Sequence, residues 1–307
     1  MKKQQLAPIA LFIFKRLEHT RKTLEALKKN TLAKDSDLII FSDGPRNPDE
    51  EKDIILIRKY IKSITGFKSI KIIEQKSNLG LAKSIISGVS KVCHQYGSVI
   101  VLEDDLETSE TFLKFMNDAL IFHKNNDDII SISGFSYPIK FPEKYKEDTY
   151  LLRMPLCWGW ATWKEKWILF DKNLSTIDNI TPNKISYINF NNTHDFFSQA
   201  IANKNGTLNT WFIFWYISAV LNNKKTIFPK YTLIQNIGHD GSGENCGNED
   251  IFSSPKIENV NISLSNLEPY ENDLIVKSYE DFFRKIKTKL HVRIFNKFKK
   301  VIYGLSK

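Results

Sequence analysis

Cysteine is scarce in this 307-residue sequence: there are three (Cys93, Cys157 and Cys246), and none stands at zinc-ligand spacing. That excludes a disulfide framework and gives no support to a structural zinc module. Long hydrophobic runs are missing too. The longest, Ala7 to Phe14 and Trp211 to Leu221, fall short of the roughly 20 apolar residues that cross a bilayer. The opening MKKQQLAP passes straight into a strand-like segment with no small-residue cleavage site, so no cleavable leader is expected. No internal repeat is visible. With 42% hydrophobic and 26% charged residues the chain reads as globular, and its length suits one large α/β domain or two smaller ones. A cytoplasmic enzyme is the class that fits.

Net positive charge is almost absent from the body. Residues 277–307 carry +8 of the formal +9, against only Glu280 and Asp281. In this tail Phe283, Ile286, Leu290, Ile294, Phe298, Val301 and Leu305 recur three or four residues apart, which places them on one face of a basic amphipathic helix. Two apolar partners are open for that face: an anionic membrane surface, or the body of the protein itself. The near-neutral body offers no extended basic face, so nucleic acid is not an expected partner.

Strand and helix signals alternate over the first hundred residues. Strands are predicted at 7–14, 37–45, 68–75 and 98–105, and helices at 19–30, 49–64 and 81–96. This alternation predicts a mostly parallel sheet with helices on both faces, whose ligands gather at the carboxyl ends of the strands. Arg16, Asp43 and the triplet Glu103-Asp104-Asp105 all stand at such ends. Later segments are less regular: a helix at 111–124, strands at 129–137 and 226–236, and a largely buried helix at 211–223. The stretch 253–275 is polar and uneven and reads as a link to the basic tail.

Three consecutive carboxylates after a buried strand put oxygen ligands beside a ligand crevice. Mg²⁺ and Mn²⁺ are commonly held by one or two carboxylates together with substrate phosphate oxygens. The plainer alternative is an acidic turn capping the next helix, which Thr108 and Glu110 suit. In NLGLAKSI, Asn78 and Gly80 suit a tight turn into a helix whose free N–H groups and Lys83 would sit near a phosphate or sugar hydroxyl; a capped helix with a solvated lysine is as good a reading. CWGWATWKEKW spaces Trp163 and Trp167 as core residues of a helix, while Trp158 and Trp160 flank Gly159 and offer indole faces to a sugar. GHDGSGENCG reads as a flexible loop or a lid, with His239, Gly241, Ser242 and Gly243 in it.

Taken together and in order, APIALFIFKR, FSDGPR, NLGLAKSI, VLEDDLETSETFLKF, CWGWATWKEKW and LIQNIGHDGSG give a resemblance over about residues 6–250. The chain resembles the GT-A nucleotide-sugar glycosyltransferases, especially bacterial relatives of N-acetylglucosaminyltransferase I. The resemblance implies a Rossmann-like GT-A sheet and a metal-dependent transfer of a sugar from a nucleotide-diphosphate donor, expected to be UDP-linked, to a hydroxyl of a growing surface glycan. It implies that Arg16 and Asp43 hold the base, that Glu103 and Asp104 face the donor's sugars, and that Asp105 ligates Mn²⁺ or Mg²⁺. It also supports a lid at GHDGSGENCG. Residues 1–106 would bind the nucleotide and 107–250 would shape the acceptor site and lid of the same domain, followed by a linker (251–276) and the tail (277–307). By analogy the reaction inverts the anomeric carbon, and the tail suggests an acceptor on a lipid carrier at the inner face of the cytoplasmic membrane.

The general base is where the chain departs from that family. N-acetylglucosaminyltransferase I has an aspartate in a Trp-Asp-Asp-Trp context, whereas the matching stretch here, Trp211 to Trp215, contains no carboxylate. Phe214 and Asn245 also stand where bacterial relatives often carry Arg and His. Asp240 is the expected base, with Glu244 and the more distant Asp195 as substitutes. Two rivals follow: an inactive glycan- or nucleotide-sugar-binding relative, and a nucleotidyltransferase. The latter usually has a glycine-rich basic loop after its first strand, and FKRLEHT has no glycine.

Overall fold

Side chains alternate across β1 (Ile9–Ile13), and that alternation sets up the layers. Ile9, Leu11 and Ile13 join one apolar cluster, while Ala10 and Phe12 join another on the opposite face. β2 (Asp37–Ser42) and β4 (Ser98–Glu103) divide in the same way, with Leu38 and Ile100 on one side and Ile39 and Val99 on the other. A strand buried on both faces belongs in a parallel sheet covered by helices. The computed structural model describes residues 5–241 and 257–287. In it α1 (Leu17–Lys28), α2 (Glu51–Lys62) and α4 (Phe112–Phe122) cover the first face through Leu24, Ile57 and Met116. α3 (Leu81–Tyr96) covers the second through Ala82, Ile85 and Val89.

The main sheet has eight strands in the order β3-β2-β1-β4-β8-β6-β9-β7, with β3 (Ser69–Glu74), β6 (Ile129–Ser133), β7 (Thr149–Leu152), β8 (Trp160–Trp163) and β9 (Lys225–Pro229). β8 runs antiparallel to both β4 and β6, and β7 antiparallel to β9; the other pairings are parallel. The carboxyl ends of β1, β2, β4, β6 and β9 therefore lie along one edge. A small antiparallel ribbon of β5 (Leu106–Thr108) and β10 (Ile234–Asn236) crosses that edge. α5 (Lys164–Trp167), α6 (Pro182–Ile188), α7 (Ser198–Lys204) and α8 (Phe212–Leu221) complete the second half. The predicted class, a mostly parallel α/β sheet with helices on both faces, is the one observed.

Three local readings change. β4 ends at Glu103, so Asp104 and Asp105 lie in the turn that follows. The strand predicted over 226–236 is two strands in different sheets. Trp163 is not helical: it closes β8 opposite Ser98 and donates its indole N–H to the Leu120 carbonyl at 3.0 Å, while Trp167 ends the one-turn helix α5.

The chain from 257 to 272 is strapped to the body, where Asn259 accepts from the Glu110 N–H at 2.9 Å and Ser263 donates to Asp148 at 3.0 Å. A ninth helix, 273–287, follows, and its Ile275, Tyr279 and Phe283 are completely buried. Just before it, the guanidinium of Arg153 meets Glu271 at 2.7 Å with both side chains buried, and it lies 3.7 Å from the Tyr187 ring centroid. Of the two partners open to the tail's apolar face, the body takes Phe283 and Ile286. The rest of the basic stripe, from Leu290 to Leu305, lies outside the described residues. None of the described helices is long and apolar enough to cross a membrane.

Candidate active site

Where β1 ends, the chain turns through Arg16 into α1, and where β4 ends it turns through Asp104 and Asp105 into β5. The two turns face each other. Nη2 of Arg16 bonds Oδ1 of Asp104 and, at 2.8 Å, Oδ2 of Asp105. Backbone contacts hold both acids in place. The Thr23 hydroxyl donates to the Asp104 carbonyl at 2.8 Å, and the Ile237 N–H donates to the Asp105 carbonyl at 2.9 Å. Gly238 closes the cluster, since its Cα leaves no room for a β-carbon beside the Asp105 carboxylate.

The electrostatics follow from crowding acids at a buried edge. Burial, and then the charges of Asp105 and Asp104, push the Glu103 carboxyl up to about 8. Burial also raises Asp104, against the pull of Arg16. Burial would lower the Arg16 guanidinium, but Asp104 and Asp105 overcome it and hold the group well above its usual range. Nη1 of Arg16 is buried and has no hydrogen-bond partner among the described residues. Two carboxylates, Asp104 and Asp105, against one guanidinium leave an excess of negative charge made of hard oxygen donors, although among the described residues no three acidic, histidine or cysteine side chains are grouped to hold an ion. That donor set fits Mg²⁺ or Mn²⁺ held by few protein ligands, the rest of the coordination coming from phosphate oxygens.

Asp43 stands at the carboxyl end of β2, as expected, but its carboxylate is engaged locally. It accepts from the N–H groups of Gly44 and Leu79 at 2.8 Å and of Gly80 at 3.0 Å. Its role in these bonds is to pin the 78–80 loop to the end of β2. Asn78 adds to the same clasp, donating to the Gly44 carbonyl at 3.0 Å. Gly80, at φ +78°, then leads into α3, where Lys83 is exposed on the first turn and has no ion-pair partner among the described residues.

The two tryptophans of the sugar-pocket expectation separate. Trp158 is half-buried and sits edge-on to Phe135 at 4.7 Å and to His239 at 5.6 Å, beside the 238–241 segment. Trp160 is fully buried, stacked on Trp211 at 5.4 Å and packed near Trp167 and Trp215. Trp160 is therefore a core residue and lines no open pocket, because its strand position points it into the helix-covered layer. His239 is half-buried, and Asp240 and Gly241 are exposed. Ser242, Gly243 and Glu244 lie outside the described residues. Asp195 is exposed and accepts from the Ser198 N–H at the start of α7, at 3.3 Å.

Several neighbours of the site escaped the sequence reading. His19, on the first turn of α1, meets Asp240 at 3.1 Å and so ties the 238–241 segment to that helix. Glu50 holds Lys15 at 2.8 Å and Arg46 at 2.5 Å beside the ring of Phe14; those bonds, Arg46 first, lower its carboxyl to about 2. Arg58 donates to the Asp43 and Gln75 carbonyls and clamps the ends of β2 and β3. Only Arg46 carried a local signal, by following the Asp43-Gly44-Pro45 turn.

No family model matches this chain, and no curated protein matches it. Among solved structures it is similar to TarS of S. aureus at 11% identity and a TM-score of 0.42, over 76% of this chain and 37% of that one. The chain thus spans little more than a third of that protein's length. It is also similar to the mannosyltransferase PcManGT from Pyrobaculum calidifontis, whose structure is a complex with GDP-Man and Mn²⁺. That match has 11% identity and a TM-score of 0.36, over 72% of this chain and 73% of that one.

Proposed function

We propose that this protein transfers a sugar from a nucleotide-diphosphate donor, UDP-linked, to a hydroxyl of a glycan acceptor, with inversion at the anomeric carbon. The observation that carries the reading is the Arg16–Asp104–Asp105 cluster at the carboxyl edge of the parallel strands, sealed by Gly238. Asp105 is the residue that would hold Mg²⁺ or Mn²⁺, and the ion would supply positive charge to the departing diphosphate. Arg16 orients the two carboxylates and presents Nη1 toward the same corner. Asp43 and Asn78 shape the crevice by fixing the 78–80 loop, and Phe14 with Arg46 offers a flat, cationic wall to a base. Glu103, whose carboxyl burial and then the neighbouring Asp105 and Asp104 push upward, would face the donor's sugar.

For the acceptor's proton, Asp240 is the base in this reading, its carboxylate oriented by His19. Trp158 borders the sugar pocket. The acceptor is proposed to be a surface glycan on a lipid carrier, brought to the membrane by residues 288–307. A second reading, a nucleotide-sugar-binding protein without turnover, is favoured by the Trp211–Trp215 stretch, in which all but the partly exposed Phe212 are buried and no carboxylate is offered to an acceptor.

The test is a thermal-shift screen of nucleotides and nucleotide sugars with and without Mn²⁺, together with donor hydrolysis. Stabilisation by a nucleoside diphosphate with Mn²⁺, lost in Asp105→Ala, supports the assignment; equal shifts in both proteins reject it. Asp240→Asn should abolish turnover while sparing donor binding. Turnover unchanged in that variant removes Asp240 from the mechanism, and binding with no turnover in the unaltered protein favours the second reading.

A further inference from the structure

Far along the same edge of the sheet, the segments leaving β6 and β9 diverge and leave an open cavity of about 190 Å³. It is lined by Tyr137, Phe141, Tyr231 and Thr232 and by one charge of each sign, Lys230 and Glu258. Tyr231 is 40% exposed, a large ring left facing solvent. Lys230 stands 5.8 Å from the Phe141 ring centroid and 5.9 Å from that of Tyr231, and it has no carboxylate partner among the described residues. Glu258 has no cation partner there either.

We infer that this cavity is a subsite for a neutral glycan, a sugar of the acceptor chain outside the reacting residue. Aromatic rings supply flat apolar surface for the C–H face of a pyranose. Lys230 donates and Glu258 accepts, which matches the mixed demands of sugar hydroxyls, and the lining has no net charge with which to attract a phosphate or a uronic acid. Position agrees with this chemistry. The segment that lines the cavity at Thr232 continues through β10 to Ile237, whose N–H binds Asp105. At about 3.3 Å per extended residue the two ends are on the order of 10–16 Å apart, so a sugar seated here is not the one being transferred. Calling it an acceptor subsite rests on the proposed transferase reading; the glycan-binding chemistry of the cavity does not.

The test is saturation-transfer NMR on the full chain with methyl glycosides of glucose, galactose, mannose and N-acetylglucosamine, and with methyl glucuronide as the charged control. At least one neutral glycoside should give a signal that falls at least five-fold in Tyr231→Ala and in Lys230→Gln, with the glucuronide no stronger. The thermal shift caused by UDP and Mn²⁺ should be the same in all three proteins, which shows that they are folded and that the donor corner is untouched. No signal from any neutral glycoside, a signal indifferent to both substitutions, or a preference for the glucuronide would overturn the inference. A Tyr231-dependent glycoside signal in a protein that UDP does not stabilise upholds the glycan cavity and removes the transferase reading.

Discussion

Gly238 and Asp105 occupy adjoining space with none to spare. A β-carbon at position 238 would overlap Oδ2 of Asp105 and lie 3.0 Å from its Cγ and 3.2 Å from Nη1 of Arg16. Gly238→Ala should therefore push the acidic turn out of register without placing any strain on its own backbone. The expected result is at least a ten-fold loss of Mn²⁺-dependent nucleotide affinity with a stability cost of about 1–3 kcal/mol. Gly241→Ala is the control: that residue is exposed at φ +85°, so the cost is conformational, about 1 kcal/mol, and the acidic turn keeps its shape. Calorimetric titration of UDP with Mn²⁺ separates the two.

Arg16→Gln tests the charge balance of the cluster. Without the guanidinium, Asp104 and Asp105 repel each other at a mostly buried edge, and metal-free protein should lose about 1–3 kcal/mol. Mn²⁺ should then raise the melting temperature of the variant more than that of the unaltered protein, because it replaces a missing cation. Chelation with EDTA reverses the gain. Equal Mn²⁺ shifts in the two proteins would show that the metal does not report on this cluster.

Arg153 and Glu271 join the last described helix to the body through a buried ion pair. Arg153→Met strands the Glu271 carboxylate and should cost about 3–5 kcal/mol, more than the double substitution Arg153→Met with Glu271→Met. Urea unfolding of the two single variants and the double variant gives the coupling directly.

His123, buried after α4 with Nε2 unpartnered among the described residues, supplies a pH dependence. Burial lowers its imidazolium to about 4 from the ordinary 6.5. The folded state thus binds fewer protons than the unfolded state between these values, and stability falls as pH drops from 6.5 to 4. The contribution is at most about 3 kcal/mol. His123→Leu should flatten this part of the melting profile, measured at pH 7, 5.5 and 4.5.

Much of the first half was legible because its signals are local. Continuous apolar runs separated by amphipathic helices specify doubly covered parallel strands, and they leave Arg16, Asp43 and the Glu103–Asp105 triplet at one edge. The second half hides its plan. Trp163 and Trp167 have helical spacing, yet pairing of Trp160–Trp163 between two distant strands makes that stretch extended; periodicity carries no information about partners far away in the chain. Asp43 shows a different limit. Its position was readable, but three N–H groups from residues 44, 79 and 80 engage the carboxylate, and only the folded loop reveals them. His19 is a single histidine on a helix until the 238–241 segment comes to rest against it. Gly238 looked like loop flexibility and proved to be a packing requirement.

β8 lies between β4 and β6, so the first 106 residues end in an open sheet edge that a later stretch must close. Severing the chain there would yield two aggregation-prone fragments and no pair of autonomous modules. During synthesis, the first half must wait with its seam unsealed until residue 163 has emerged, which makes this junction the vulnerable moment in the life of the polypeptide.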